Sequence, residues 1–65
     1  VHGQEYVEEV LRSPERIVPA KIGRREAQHR RGGGLLRIIF VEEEGVRVIV
    51  TVNWTTKVAA YWEEI

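Results

Sequence analysis

At 65 residues, with ten cations balanced by ten anions and no cysteine, the chain is sized for one domain, residues 1–65, and has neither disulfide nor thiolate metal site to reinforce it. A chain this short buries only about 60% of the surface that its unfolded form exposes, so its core is marginal and self-association or a bound partner is the expected supplement. No apolar run reaches membrane-spanning length and no secretory signal is visible, which points to a soluble cytoplasmic protein without a membrane partner. There is no initiator methionine: either processing has removed it, or the natural N-terminus, with part of an N-terminal helix, lies upstream. All ten acids are glutamate, eight of the ten bases are arginine and methionine is absent, a composition compatible with a thermophile.

Residues 4–13 read as a helix, because Tyr6, Val7, Val10 and Leu11 recur at helical spacing while Glu5, Glu8, Glu9 and Arg12 take the other side. Glutamates early and arginine late suit the helix dipole, and Ser13-Pro14 ends the helix. Residues 16–22 follow as a first strand, short or at an edge because Pro19 cannot donate to a ladder, with Gly23 as its breaker. Residues 24–31 are polar throughout and fit either a second strand or an extended loop. Gly32-Gly33-Gly34 reads as a hairpin connection; no Gly-Lys-Ser/Thr follows it, which excludes a Walker loop.

Residues 35–42 and 46–52 are the clearest strands. Glu43-Glu44-Gly45 fits a three-residue loop with the glycine in the left-handed bulge position. That loop predicts the pairs Glu42–Val46, Phe40–Val48, Ile38–Val50 and Leu36–Val52 on an apolar core face, and Val41–Arg47, Ile39–Ile49 and Arg37–Thr51 on a mixed one. In the tail, Val58, Tyr61, Trp62 and Ile65 recur at helical spacing, with Thr55 or Thr56 as N-cap, so a short helix should fold back onto the sheet. The predicted fold class is α+β: an N-terminal helix, a three- to four-stranded antiparallel sheet and a short C-terminal helix.

Charge is segregated although the sum is zero. Residues 21–31 carry Lys21, Arg24, Arg25, Arg30 and Arg31 against Glu26 alone, a local +4, while Glu42, Glu43 and Glu44 form an acidic tip and Glu63 and Glu64 an acidic tail. Metal and cofactor are not expected: the histidines are His2 and His29, and aspartate is absent. Ser13, the only serine, sits at a helix-ending turn, and the glutamates of the tip are solvated, which argues against a serine nucleophile and a raised carboxyl pKa. The mixed face gathers Arg37, Arg47, Thr51, Asn53 and Lys57, with His29, Arg30 and Arg31 nearby if the second strand pairs with the third. Metal-free RNA cleavage needs cations on the phosphate and an acid and base on the ribose and leaving oxygens. The arginines suit phosphate, and His29 or Lys57 proton transfer or charge. Trp54, Tyr61 and Trp62 are able to stack on bases, but in so small a chain they are expected first as core, with Trp54 partly exposed and, beside arginines, suited to a protein interface.

The run Val50-Thr51-Val52-Asn53-Trp54-Thr55-Thr56-Lys57, followed by Tyr61-Trp62, resembles the closing signature of domain-of-unknown-function family four-two-five-eight, which runs V-T-V-Y-x-T-S-K and then K-Y-W. Val7 to Ile17 looks like that family's helix-then-strand segment, and Leu36-Arg37-Ile38-Ile39 like its third strand. The resemblance implies kinship with the RelE/ParE-like toxins of toxin–antitoxin pairs, helices packed on an antiparallel sheet, RNA cleavage and a small antitoxin partner. Thr51, Thr55, Thr56, Lys57 and Tyr61 match the motif, and Arg37 matches it loosely. Asn53 stands where the pattern has tyrosine and cannot act as acid or base, and the usual first helix with its histidine is shortened or absent.

Two functions are therefore expected. The first is a toxin-like RNA-binding or metal-independent RNA-cleaving module: His29 and Lys57 catalytic, Arg30, Arg31, Arg37 and Arg47 on phosphate, and RNA and an antitoxin as partners. The alternative is a non-catalytic protein-interaction or homo-oligomeric domain, to which the marginal core and Trp54 point.

Overall fold

A computed structural model, which describes residues 2–62, arranges one helix against a four-stranded antiparallel meander. Helix α1 (His2–Arg12) leads into β1 (Arg16–Pro19), β2 (Arg25–Arg31), β3 (Gly34–Glu43) and β4 (Val46–Thr55), and a single 3-10 turn, Val58–Ala60, follows. The strands lie in sequence order, so β1 and β4 are the two edges.

Helix α1 buries the face that its periodicity predicts. Val10 is nearly inaccessible, Tyr6, Val7 and Leu11 pack around it, and Glu5, Glu8, Glu9 and Arg12 point to solvent. The last turn closes with Ser13 N donating to Glu9 O at 3.0 Å, one residue before Pro14. Against this face lie Ala27 from β2 and Leu36, Ile38 and Phe40 from β3. Each large aliphatic or aromatic side chain buried here contributes about 1.5–3 kcal/mol relative to leaving it in water.

β1 stops at Pro19, shorter than residues 16–22 predict. Beyond Pro19 the chain reverses through Ile22 and Gly23, both left-handed with φ of 47° and 69°, and Ala20 N donates to Arg24 O at 2.9 Å. The polar stretch resolves as a strand, because β2 lies between β1 and β3 and is paired along both sides. Gly32 and Gly33 take φ of 58° and 79° in a tight turn. Gly34 belongs to β3, and its missing side chain has a packing reason: a Cβ there would run into Cζ2 of the Trp54 indole.

The β3–β4 register differs from the predicted one. Glu44 and Gly45 are both left-handed, φ 52° and 80°, so a two-residue loop joins Glu43 to Val46 in place of the three-residue loop. The pairs become Glu42–Arg47, Val41–Val48 and Phe40–Ile49; a bulge then leaves Val50 without an opposite number, and pairing resumes with Ile39–Thr51, Ile38–Val52, Arg37–Asn53 and Leu36–Trp54. Directly paired residues share a face. Arg47, Ile49, Val52 and Trp54 therefore lie on the helix side, and Val46, Val48, Thr51, Asn53 and Thr55 on the other.

The tail also departs from expectation. The predicted helix is one 3-10 turn, with Tyr61 N and Trp62 N both donating to Val58 O at 3.0 and 2.8 Å. Neither threonine acts as N-cap: Lys57 holds that position without a side-chain bond, and Thr55 Oγ1 instead accepts from Lys57 N at 3.0 Å as the chain leaves β4. Ile65, Glu63 and Glu64 lie outside the described residues.

Two substitutions test these turns. Glu44→Asn, which tolerates the left-handed conformation better, should raise unfolding free energy by about 0.5–1 kcal/mol in urea titration. Gly34→Ala should push the indole of Trp54 off β3; in a Trp62→Phe background this reads as a red-shifted emission with a lowered melting temperature.

Candidate functional site

The face opposite α1 is built on polar side chains. β2 alternates so that Glu26 and Gln28 point away from the helix, and both are buried. Arg37, paired with Gln28 across the ladder, grips Glu26 as a fork: Nε donates to Oε2 and Nη2 to Oε1, each at 2.9 Å. Gln28 Nε2 donates to the same carboxylate, and Arg16 Nε donates to Gln28 Oε1. The tail closes over this network. Arg16 Nη2 donates to Tyr61 O at 2.9 Å, the Arg37 guanidinium lies 3.8 Å from the Tyr61 ring centre, and Arg16 and Arg30 lie 4.0 and 4.2 Å from that of Trp62. Leu35 is fully buried on this side.

Burial pushes the Glu26 carboxyl up, but the hydrogen bonds from Arg37 and Gln28 outweigh it and hold its pKa below the ordinary value of 4.5. The bonds to Glu26 in turn raise Arg37. At the sheet's end, the Arg30 side chain and then its backbone N–H bring Glu15 down to about 2, with Nη2 of Arg30 2.7 Å from Oε2 and the backbone N–H 2.9 Å from Oε1.

On the helix side, the Arg31 guanidinium sits 4.5 Å from the Tyr6 ring centre, and His29 meets that ring edge-on at 6.1 Å. Tyr6 Oη and His29 Nδ1 are buried and have no hydrogen-bond partner among the described residues. Arg47 Nη1 donates to Leu11 O at 2.7 Å near the C-terminal end of α1, with its guanidinium 5.0 Å from the Phe40 ring centre.

The sheet thus divides the predicted site. Arg30, Arg37, Thr51, Asn53, Thr55 and Tyr61 gather on the tail side, whereas His29, Arg31 and Arg47 lie on the helix side. The expected grouping of Arg37 with Arg47 on one face does not form, because the two-residue turn moves every β4 side chain before the bulge to the opposite face. Thr56 and Lys57 are exposed beyond the end of β4. No group of three potential metal-ligating side chains occurs among the described residues, and no described helix is long and apolar enough to cross a membrane.

A second feature went unread in the sequence except at Trp54. α1 packs over β2 and β3 and reaches β4 at Arg47, so the rest of β4 on this face is only partly covered. Ile49, Val52 and Trp54 are 39, 44 and 49% exposed there, and Val46 and Val48 are exposed on the reverse side. β4 is also an edge, ten residues long, with Arg47 its single charge and no proline. β1, the other edge, is four residues long and ends in Pro19. The signal in the sequence was the near absence of charge from residues 46–55.

No protein-family model, no curated protein and no solved structure matches this chain.

The Glu26–Arg37 pair makes a pH prediction. A carboxyl whose folded pKa lies below its unfolded one stabilises the fold above the unfolded value and loses that contribution as pH falls through the folded value. Stability should therefore fall as pH drops below about 4.5, through Glu26 and Glu15 together. Glu26→Gln leaves the partly buried Arg37 cation without its carboxylate and should cost about 1–3 kcal/mol at pH 7 while flattening the acid dependence in urea melts.

Proposed function

We propose that this chain is a non-catalytic protein-interaction domain that joins its partner by strand addition at β4. The observation that carries the reading is the contrast between the two edges. Natural sheets blunt exposed edges with short strands, proline, charge and bulges. β1 has the first two devices, whereas β4 presents ten residues with one charge, one bulge and an apolar flank of Ile49, Val52 and Trp54. An added strand would satisfy the outward backbone groups of β4 and draw side-chain selectivity from that flank. For a chain whose own core is small, the added burial would supplement stability as well as provide binding.

The RNA-cleaving reading draws less support. Its phosphate-binding arginines are engaged within the fold: Arg37 by Glu26 and Tyr61, Arg30 by Glu15 and Trp62, Arg31 by Tyr6, and Arg47 by the Leu11 carbonyl. His29 is separated by the sheet from Arg30 and Arg37. In a toxin–antitoxin pair, the same β4 edge would be the place for the antitoxin.

The test is the state of the protein isolated from its native cells. It should sediment above its monomer mass, whereas Val52→Lys, which puts a charge into the edge, should sediment as a folded monomer. A monomeric wild type would sink the interaction reading. Incubated with RNA in the presence of a chelator, the protein should leave the RNA intact; cleavage that Arg37→Ala abolishes would favour the toxin-like reading instead.

A further inference from the structure

We infer that the occupant of the β4 edge is a second copy of this chain, paired antiparallel with it about a two-fold axis that passes between Val50 and Thr51. The inference rests on the strand-addition reading and names its partner.

The argument is one of parity. β4 runs from Val46 to Thr55, so pairing it along its whole length with itself sets residue 46 against 55, 47 against 54, 48 against 53 and 49 against 52. In a regular strand, residues an odd number of positions apart point to opposite faces. Full-length self-pairing of a regular ten-residue strand would therefore set each side chain against one from the wrong face. The bulge at Val50 removes this conflict, because it shifts the alternation by one halfway along the strand. Arg47 and Ile49 before it share the helix side with Val52 and Trp54 after it; Val46 and Val48 share the tail side with Asn53 and Thr55. These four pairings then match face to face, with the bulged Val50 and its neighbour Thr51 at the axis.

The chemistry of the pairs agrees. Ile49 meets the second copy's Val52, and Val46 meets the second copy's Thr55, both suitable cross-strand neighbours. Arg47, the only charge in the strand, falls opposite the second copy's Trp54 and not opposite its own counterpart, so no like charges meet across the axis. The two-fold is normal to the sheet, so it joins two four-stranded sheets into one of eight, with both copies of α1 on the same side. The partly exposed apolar strips of the two copies become contiguous between those helices.

Because the sequence has no cysteine, engineered ones report cleanly. Val48→Cys and Asn53→Cys are made as separate variants and mixed under oxidising conditions after recombinant purification, alongside sedimentation of the wild type over a wide concentration range. Across the proposed interface these positions are directly opposed, with Cβ atoms about 4.5–5.5 Å apart. Two copies of Val48 would lie four ladder positions apart, because the bulge absorbs one residue between Val48 and Asn53, roughly 13 Å along the strand. The expected result is a wild-type dimer, a mixed disulfide between the two variants and little disulfide in either alone. Trp54→Ala should weaken the dimer by about tenfold or more. A dimer in which Val48→Cys links to itself overturns the register. A purified wild type that stays monomeric overturns the second copy as partner. In that case, assembly of the natively isolated protein with another chain at β4 leaves strand addition standing, and its absence there removes both.

Discussion

Two left-handed residues, Glu44 and Gly45, close the β3–β4 hairpin, and together with the bulge at Val50 they fix the side of the sheet on which each β4 side chain lies. A two-residue loop of this kind matches the twist of the strands that it joins and leaves no freedom in their register. It sets Arg47 over Phe40 and within reach of the end of α1, and with the bulge at Val50 it places Trp54 beside Leu36 and over Gly34. A slip of one residue exchanges the faces of a strand. Here it would carry Arg47 to the tail side and take the indole off the helix side.

The two faces of the sheet are held by different means. The helix side is an ordinary apolar core, small because α1 covers only part of the sheet. The tail side is held by arginines, which fix carboxylates, a carbonyl and aromatic rings together. The long arginine stem contributes contact area while its planar head satisfies several acceptors, so a chain with few large apolar residues can build a second layer from it. The consequence for function is direct: guanidinium groups that close the tail over the sheet are not free to bind phosphate.

The two edges of the sheet are protected to different degrees. β1 is short and ends in proline, so the sheet terminates there. At β4 the apolar flank and unpaired backbone remain, and the bulge makes the strand symmetric in its own pattern of faces. That combination suits continuation of the sheet better than chemistry in a cleft, for the titratable groups that a reaction would need are split between two sides of the sheet.

Much of the fold was legible from local signals: the spacing of Tyr6, Val7, Val10 and Leu11 set the helix, Pro14 its end, and alternation in residues 35–52 the central hairpin. Pro19 marked an edge strand correctly, and Trp54 was recognised as exposed. The polar strand β2 was legible only as one of two alternatives, because Glu26 and Gln28 are buried only through the partners that Arg37 and Arg16 supply from elsewhere in the sequence. The register was not legible either: a Glu-Glu-Gly run permits a two- or a three-residue loop, and a non-glycine residue with positive φ is tolerated only when the paired strands on both sides enforce it. The sequence by itself determined which segments form helix and strand, since periodicity and punctuation are local. Only the tertiary structure decided which arginines are engaged, which side of the sheet each β4 residue occupies and which edge stays open, because these depend on contacts between residues far apart in the chain.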